Sequence, residues 1–303
     1  MCRVYVCSAN PEPMNEALKL RSVEFHEPEL QKIREDNVLI LRHYIDGQNK
    51  LNEIAESIRY AKNIQSALFV REENFLDIFP ESFYFTSPKE ELTGDFAWIT
   101  KVGSRTIVAV ADCTGHGIPG AMMSILGLSL LNQVVLEERC YEPSFILRRV
   151  DQKMSSSFKT NSDARSGFDG MDIAVCCIDS ATQQVTFAGA MRPLWMTRGA
   201  DLLTFSGSRY PIGGLRMDNQ RLFPQTTIDY QRGDMLYLFT DGYTDQFGGP
   251  NNKKISRGRL KVLTQLIATY AAKQQKEQLL EFFHFWKKHS PQTDDATFVG
   301  IRL

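Results

Sequence analysis

Four aspartates stand in short, sharply punctuated stretches: Asp95 in Leu92-Thr-Gly-Asp95, Asp112 in Ala111-Asp-Cys-Thr-Gly-His-Gly117, Asp241 in Thr240-Asp-Gly242 and Asp294 in Thr293-Asp-Asp-Ala-Thr297. Three of them follow or open an apolar run that reads as a core strand, so their carboxylates can converge at one edge of a sheet. Two carboxylates about 4 Å apart repel by about 4 kcal/mol at an effective dielectric near 20. A cluster of this kind calls for cations, and hard oxygen donors suit magnesium or manganese.

The turns around the aspartates carry chemistry of their own. After Asp112 the chain passes Gly115, His116, Gly117 and Pro119 into a helical pattern. Gly115 and Gly117 allow the backbone close to a ligand, and the helix N-terminus that follows favours an anion such as phosphate. The stretch lacks the Gly-Lys-Ser/Thr ending of a Walker loop. Asp241 leaves its strand where the chain turns at Gly242, and Asp245 beyond it reads as a turn or helix-start carboxylate. Asp294 and Asp295 are neighbours in an extended segment, where alternate side chains point to opposite sides. One of them faces the site, and Asp294 is the one expected to.

The elements that must hold these corners fall into three regions. Residues 1–27 read as poorly organised, as a start-site artefact or the remnant of a longer sensor protein would be. Residues 28–71 read as a long helix opened by Pro28 at its first position. Leu30, Ile33, Ile40, Tyr44, Leu51, Ile54, Ile58, Ala61 and Leu68 occupy the a and d positions of a heptad, interrupted by Asn37, Gly47 and Gln65. Forty helical residues reach about 60 Å, and so thin an apolar seam points to a parallel two-stranded coiled coil. The alternative is a helix folded back on its own domain. Gly47 weakens the helix by about 1 kcal/mol relative to Ala and marks a possible hinge. Residues 72–303 form one domain. Strands are expected at 82–86, 95–100, 106–111, 172–178, 184–188, 194–197, 235–240 and 297–301, and helices at 120–136, 143–158, 259–270 and 276–288. Strands paired as hairpins, without regular βαβ alternation, give an α+β class.

Composition narrows the function classes. The 303 residues are 43% hydrophobic and carry a formal net charge of -1, which gives no global electrostatic case for nucleic acid or anionic membrane. The six cysteines form no Cys-x-x-Cys pair, and this usage fits a reducing cytoplasm rather than a zinc site. No apolar run suggests a membrane span, and the N-terminus lacks a signal-peptide layout.

Taken in order, Gly-Asp, Ala-Asp-x-x-Gly-His-Gly, Thr-Asp-Gly and Asp-Asp-x-Thr resemble the SpoIIE-type branch of the metal-dependent protein phosphatases, the PPM or protein phosphatase 2C-like superfamily. Asp169-Gly-Met-Asp172, Phe187-Ala-Gly-Ala-Met-Arg-Pro193, Pro211-Ile-Gly-Gly214 and Asp245-Gln-Phe-Gly-Gly249 add to the resemblance. So does Ser57-Ile-Arg-Tyr-Ala-Lys-Asn-Ile-Gln65, similar to the linker helix before many such domains. The resemblance covers about residues 48 to 303.

It implies an α-β-β-α sandwich preceded by the coiled-coil-like helix, with two Mn²⁺ or Mg²⁺ ions between the central sheets. Asp95 and Asp112 would bind metal, Asp112 as the bridge. The backbone carbonyl of Cys113, with Asp241 and Asp294, would complete the site, and Asp172 is a candidate for a third ion. Two such metals hold a hydroxide and clamp phosphoryl oxygens for in-line attack. The implied activity is that of a cytoplasmic serine/threonine phosphatase in bacterial signalling. Its implied substrate is a phosphorylated STAS-type protein resembling an anti-anti-sigma factor. Homodimerisation through residues 28–71 and a separate sensor protein are the implied partners, without nucleic acid or a membrane span. His116 is not at the offset of the animal-type proton donor, so a general acid and a turn-structuring residue both remain open. Arg192 is read either as a phosphate ligand beside Gly115 and Gly117 or as a surface turn residue. Two other functions stay in view, a catalytically inactive PPM-fold scaffold and another two-metal phosphoesterase such as a nuclease.

Overall fold

A computed structural model describes residues 2–6, 21–25, 27–158, 170–214 and 221–303. By internal contacts these divide into two units, Met1–Ser57 and Ile58–Leu303.

In the first unit, β1 (Cys2–Val6) pairs antiparallel with β2 (Arg21–Phe25). These strands stand where the sequence suggests little organisation. Helix α1 (Glu27–Leu68) begins in this unit and runs through Gly47 without a break, so the expected hinge is absent. One glycine costs about 1 kcal/mol, which neighbouring good helix formers such as Leu, Glu and Lys absorb. Between 27 and 57 all described side chains are exposed, including the seam residues Ile33, Ile40, Tyr44, Leu51 and Ile54.

The boundary between the units falls inside α1 rather than at 71/72. From Ile58 onward one face of the helix is covered: Ile58 and Ala61 are half-buried and Gln65 is buried. The spacing of three and four residues places these on one face. Phe69, just past the helix, packs against Phe96.

Within the second unit follow α2 (Glu72–Leu76), β3 (Ser82–Ser87), β4 (Asp95–Val102), β5 (Arg105–Cys113) and α3 (Gly117–Asn132), the last extended by a π-helical turn at Gln133–Glu137. Next come α4 (Pro143–Phe158), β6 (Gly170–Asp179), β7 (Gln184–Ala190), β8 (Leu194–Arg198), β9 (Asp201–Phe205), β10 (Ile212–Gly213) and β11 (Gln225–Asp229). The chain ends with β12 (Met235–Phe239), α5 (Asp241–Asp245), β13 (Phe247–Gly248), β14 (Lys253–Lys254), α6 (Ser256–Ile267), α7 (Ala272–Lys287) and β15 (Ala296–Arg302).

Two antiparallel sheets form the centre, ordered β11-β7-β6-β5-β4, with β10 on β6, and β3-β15-β12-β8-β9. Alternation along each strand sends one set of side chains inward and the other outward. Val108, Val110, Ala174 and Cys176 of the first sheet meet Leu236, Leu238, Val299 and Ile301 of the second. The outer face of the first sheet, with Ile107, Ile173 and Val175, is covered by Leu131 of α3 and Ile146 and Val150 of α4. The outer face of the second, with Tyr237 and Phe298, is covered by Leu260 of α6 and Leu279 and Phe283 of α7. The result is an α-β-β-α sandwich.

One reading of the sequence needs correction. Helix Gly117–Glu137 is long and apolar enough to cross a membrane by length and composition alone. Its leucines and valines, Leu136 apart, are instead spent on the core against the first sheet.

Candidate metal centre

The β-ladder brings the first three carboxylates into line. Asp95 on β4 is the direct partner of Asp112 on β5, and Asp112 is the direct partner of Asp172 on β6. Direct cross-strand partners share a face of the sheet, and like charges there repel. Asp241 arrives from the other sheet, at the first residue of α5 after β12. Asp294 arrives from the loop before β15. Asp112, Asp172, Asp241 and Asp294 line one cleft of about 330 Å³, together with Cys113, Thr114, Gly115, His116 and Arg192.

Backbone fit at this corner is tight. A Cβ on Gly242 would overlap the carbonyl of Asp295, so only glycine lets the Asp241 turn lie against the Asp294 loop. The loop itself is pinned by Gln246, whose Oε1 accepts from Thr293 N at 3.1 Å and whose Nε2 donates to Pro291 O at 3.0 Å. The adjacent aspartates diverge. Asp294 is half-buried and lines the cleft. Asp295 is buried, and its two oxygens accept from Lys89 N and Gly94 N, each at 2.7 Å.

Asp95 is also buried, with its Oδ2 accepting from Thr240 Oγ1 at 2.6 Å. Burial first, and the facing Asp112 second, hold its carboxyl well above the usual range. Burial likewise raises Asp112, against the pull of Arg192, and raises Asp172 and Asp294. Each shift marks charge that the site accommodates poorly without a cation.

One cation is built in. Arg192 Nη2 lies 2.6 Å from Asp172 Oδ2, 2.7 Å from Asp241 Oδ2 and 3.3 Å from Asp112 Oδ2. Arg192 is therefore neither a surface turn residue nor turned to open solvent; its side chain is 7% exposed. Among the described residues, no three acidic, His or Cys side chains are gathered closely enough to grip an ion as they stand. The donor set nevertheless fits a hard divalent cation, being all oxygen and drawn from both sheets.

His116 stands at the residue before α3, without a side-chain cap bond to the helix, and lines the cleft, half-exposed, with Nδ1 2.6 Å from Glu90 Oε1. Gly115 lines the cleft, whereas Gly117 borders a neighbouring groove with Glu90 and Ile118. Asp245 pairs with Lys254 at 2.6 Å and does not line the cleft. Asp169 lies outside the described residues. Sequence reasoning passed over Glu90, Gln246 and the role of Gln65. Gln65 carried a signal as a polar residue in an apolar seam, and Gln246 as part of the motif Asp245-Gln-Phe-Gly-Gly249.

Comparison with known proteins places this geometry in context. The family model described as Stage II sporulation protein E (SpoIIE) matches residues 103–303. The phosphoserine phosphatase RsbU of Bacillus subtilis (strain 168) is 27% identical over 197 residues, 64% of this chain and 55% of that protein. The chain thus spans little more than half the length of that relative. The SiaA-PP2C domain of Pseudomonas aeruginosa superposes with a TM-score of 0.75 at 26% identity, over 83% of this chain and 98% of that one. The PP2C phosphatase domain of SpoIIE from Bacillus subtilis, solved with a fragment of its regulatory domain, shares the fold at a TM-score of 0.59 and 19% identity, over 73% of this chain and 61% of that one.

Proposed function

We propose, from the premise that this chain belongs to the SpoIIE family, that it is a metal-dependent serine/threonine protein phosphatase of bacterial signalling. The observation that carries the reading is the row Asp95–Asp112–Asp172, in register on three neighbouring strands and met by Asp241 and Asp294 from the opposite side. Asp95, Asp112, the Cys113 carbonyl, Asp241 and Asp294 would hold two Mn²⁺ or Mg²⁺ ions, with Asp172 available to a third. Such ions, when bound, supply charge neutralisation for a phosphoryl group and lower the pKa of water for its attack on phosphorus.

The chain's own residues do the rest. Thr240 orients the inner oxygen of Asp95. The free backbone N–H groups at the start of α3 favour a phosphate beside Gly115. His116, oriented by Glu90, faces the same cleft and is the group in reach to hand a proton to a departing serine oxygen. Hydrolysis needs no covalent phosphoenzyme in this scheme.

The substrate proposed is a phosphorylated STAS-type protein, as the family resemblance implies; the likeness to the phosphoserine phosphatase RsbU supports phosphoserine as the group attacked. Homodimerisation through residues 28–71, driven by the exposed seam of α1, would deliver the signal of a separate sensor protein. Gln65 provides a route into the site. Its side chain bonds both backbone groups of Thr93, and Thr93 Oγ1 accepts from Asp95 N at 3.0 Å.

A second reading, a PPM-fold scaffold without catalysis, is favoured by one observation: Arg192 already satisfies three of the carboxylates. Release of inorganic phosphate from a phosphorylated STAS domain, with Mn²⁺ and then with chelator, separates the two. Turnover that depends on Mn²⁺ supports the phosphatase, and no turnover under either condition supports the scaffold.

A further inference from the structure

The corner that carries Arg192 is built at some conformational cost. Met191, a non-glycine residue, sits at φ 63°, a region that side chains other than Asn, Asp and Gly seldom adopt. Arg192 N donates to Ala190 O at 2.8 Å, which closes a tight reversal after β7. The Arg192 carbonyl lies where a Cβ on Gly189 or Gly207 would overlap it. This construction turns the guanidinium away from solvent and into the acidic centre.

Once there, Arg192 is incompletely satisfied. Nη2 serves three carboxylates, while Nε is buried with no hydrogen-bond partner. Arginine is normally placed where its fork of five donors can be used. A buried guanidinium that crowds its contacts onto one nitrogen and leaves another unpaired is a poor fit for a purely structural ion pair. It is a good fit for a charge that leaves when something better arrives. One positive charge faces three negative ones, so the centre remains short of cation.

We infer that Arg192 is a built-in counter-cation of the acidic centre, which competes with divalent metal for Asp112, Asp172 and Asp241. The inference rests on the metal-centre reading. Arg192 keeps the centre folded without metal and sets the metal concentration at which the site fills. Metal entry swings the guanidinium out of the carboxylate cluster and into the open cleft.

The test uses the full chain, stripped with chelator and titrated with Mn²⁺ alone by calorimetry, alongside Arg192→Met and Arg192→Gln. Both variants are expected to bind Mn²⁺ roughly tenfold more tightly, or better, than the unmodified chain. Without metal they are expected to melt roughly 5–10 °C lower, and to recover more of the difference on Mn²⁺ addition. Variant affinity equal to or weaker than that of the unmodified chain would overturn the inference. Should neither variant fold without metal, the unmodified chain gives the answer. Modification of Arg192 by phenylglyoxal, read by peptide mass spectrometry, is expected to rise when Mn²⁺ is added, and unchanged or reduced labelling would overturn the inference. An unmodified chain that binds no Mn²⁺ overturns the metal-centre reading as well. Mn²⁺ binding by the variants that is no tighter than by the unmodified chain overturns only the role of Arg192.

Discussion

Gln65 holds both backbone polar groups of Thr93: its Nε2 donates to Thr93 O at 2.7 Å, and its Oε1 accepts from Thr93 N at 3.2 Å. The same Nε2 lies 3.2 Å from Ser124 Oγ on α3. The end of the long helix is thereby tied to the residue two positions before Asp95. Removing the amide leaves Thr93 N buried without its partner, at about 1–3 kcal/mol, and leaves Thr93 O to the Ser124 hydroxyl at 3.2 Å. Gln65→Ala is expected to lower the thermal midpoint by several degrees and to raise the Mn²⁺ concentration needed for half-maximal turnover. A variant with the same midpoint and the same Mn²⁺ requirement would mean that the helix end is not coupled to the site.

Asp294 and Asp295 should separate by phenotype despite being neighbours. Asp295 accepts two backbone N–H groups in a buried setting. Charge-assisted bonds of that kind contribute about 1.5–3 kcal/mol each. Asp295→Ala is therefore expected to destabilise the metal-free fold by about 3 kcal/mol or more in urea unfolding. Asp294→Ala is expected to leave urea unfolding of the metal-free chain within about 1 kcal/mol of the parent, because Asp294 faces the cleft. Its defect should appear in Mn²⁺ binding. The reverse pattern would reassign the ligand to Asp295.

The thiols of β6 report on the integrity of the sandwich. Burial pushes Cys177 up to about 11, and pushes Cys176 higher still. At pH 8 only about one Cys177 in a thousand is then the reactive thiolate, and fewer at Cys176. Iodoacetamide at pH 8 should leave both unmodified in the folded chain and modify both in urea, as read by peptide mapping. Labelling of Cys177 should climb as pH rises toward 11. Equal labelling in folded and unfolded protein would contradict the assigned burial.

The exposed seam of α1 should govern oligomeric state. Ile40 is 64% exposed and Leu51 60%, more than isolated apolar side chains on a helix need to be. Paired Ile40→Asp and Leu51→Asp substitutions put charge in the seam of a coiled coil. Light scattering should then give half the mass of the parent chain. An unchanged mass, or a monomeric parent, would remove the dimer from the account.

Much of this was legible before the structure. The β-rich run into Asp112 and the apolar run into Thr240 fixed two strands because buried, branched side chains advertise themselves. Helix α4 was read at 143–158, where the structure has it. Strands β9 and β11 were missed for the complementary reason. As Asp-Leu-Leu-Thr-Phe and Gln-Thr-Thr-Ile-Asp, they sit at the outer edges of the sheets with their side chains half-buried or exposed. Edge strands of that kind need little apolar patterning. Gln65 read as an interruption of the heptad because the pattern could not show that this helix changes its company at Ile58. Arg192 was noticed, but its environment depends on three aspartates 80, 20 and 49 positions away in sequence. Only the β5–β6 ladder and the α5 corner bring them together.

The account stands on metal held by the carboxylates of the two sheets, and Asp112 sits at the middle of their row. The most direct measurement is release of inorganic phosphate from a phosphoserine protein by the full chain with Mn²⁺, compared with Asp112→Ala at matched folding. The account predicts Mn²⁺-dependent release that falls by roughly three orders of magnitude, about 4 kcal/mol of barrier, in the variant. Undiminished release by Asp112→Ala, or release by the parent that persists in chelator, would contradict it.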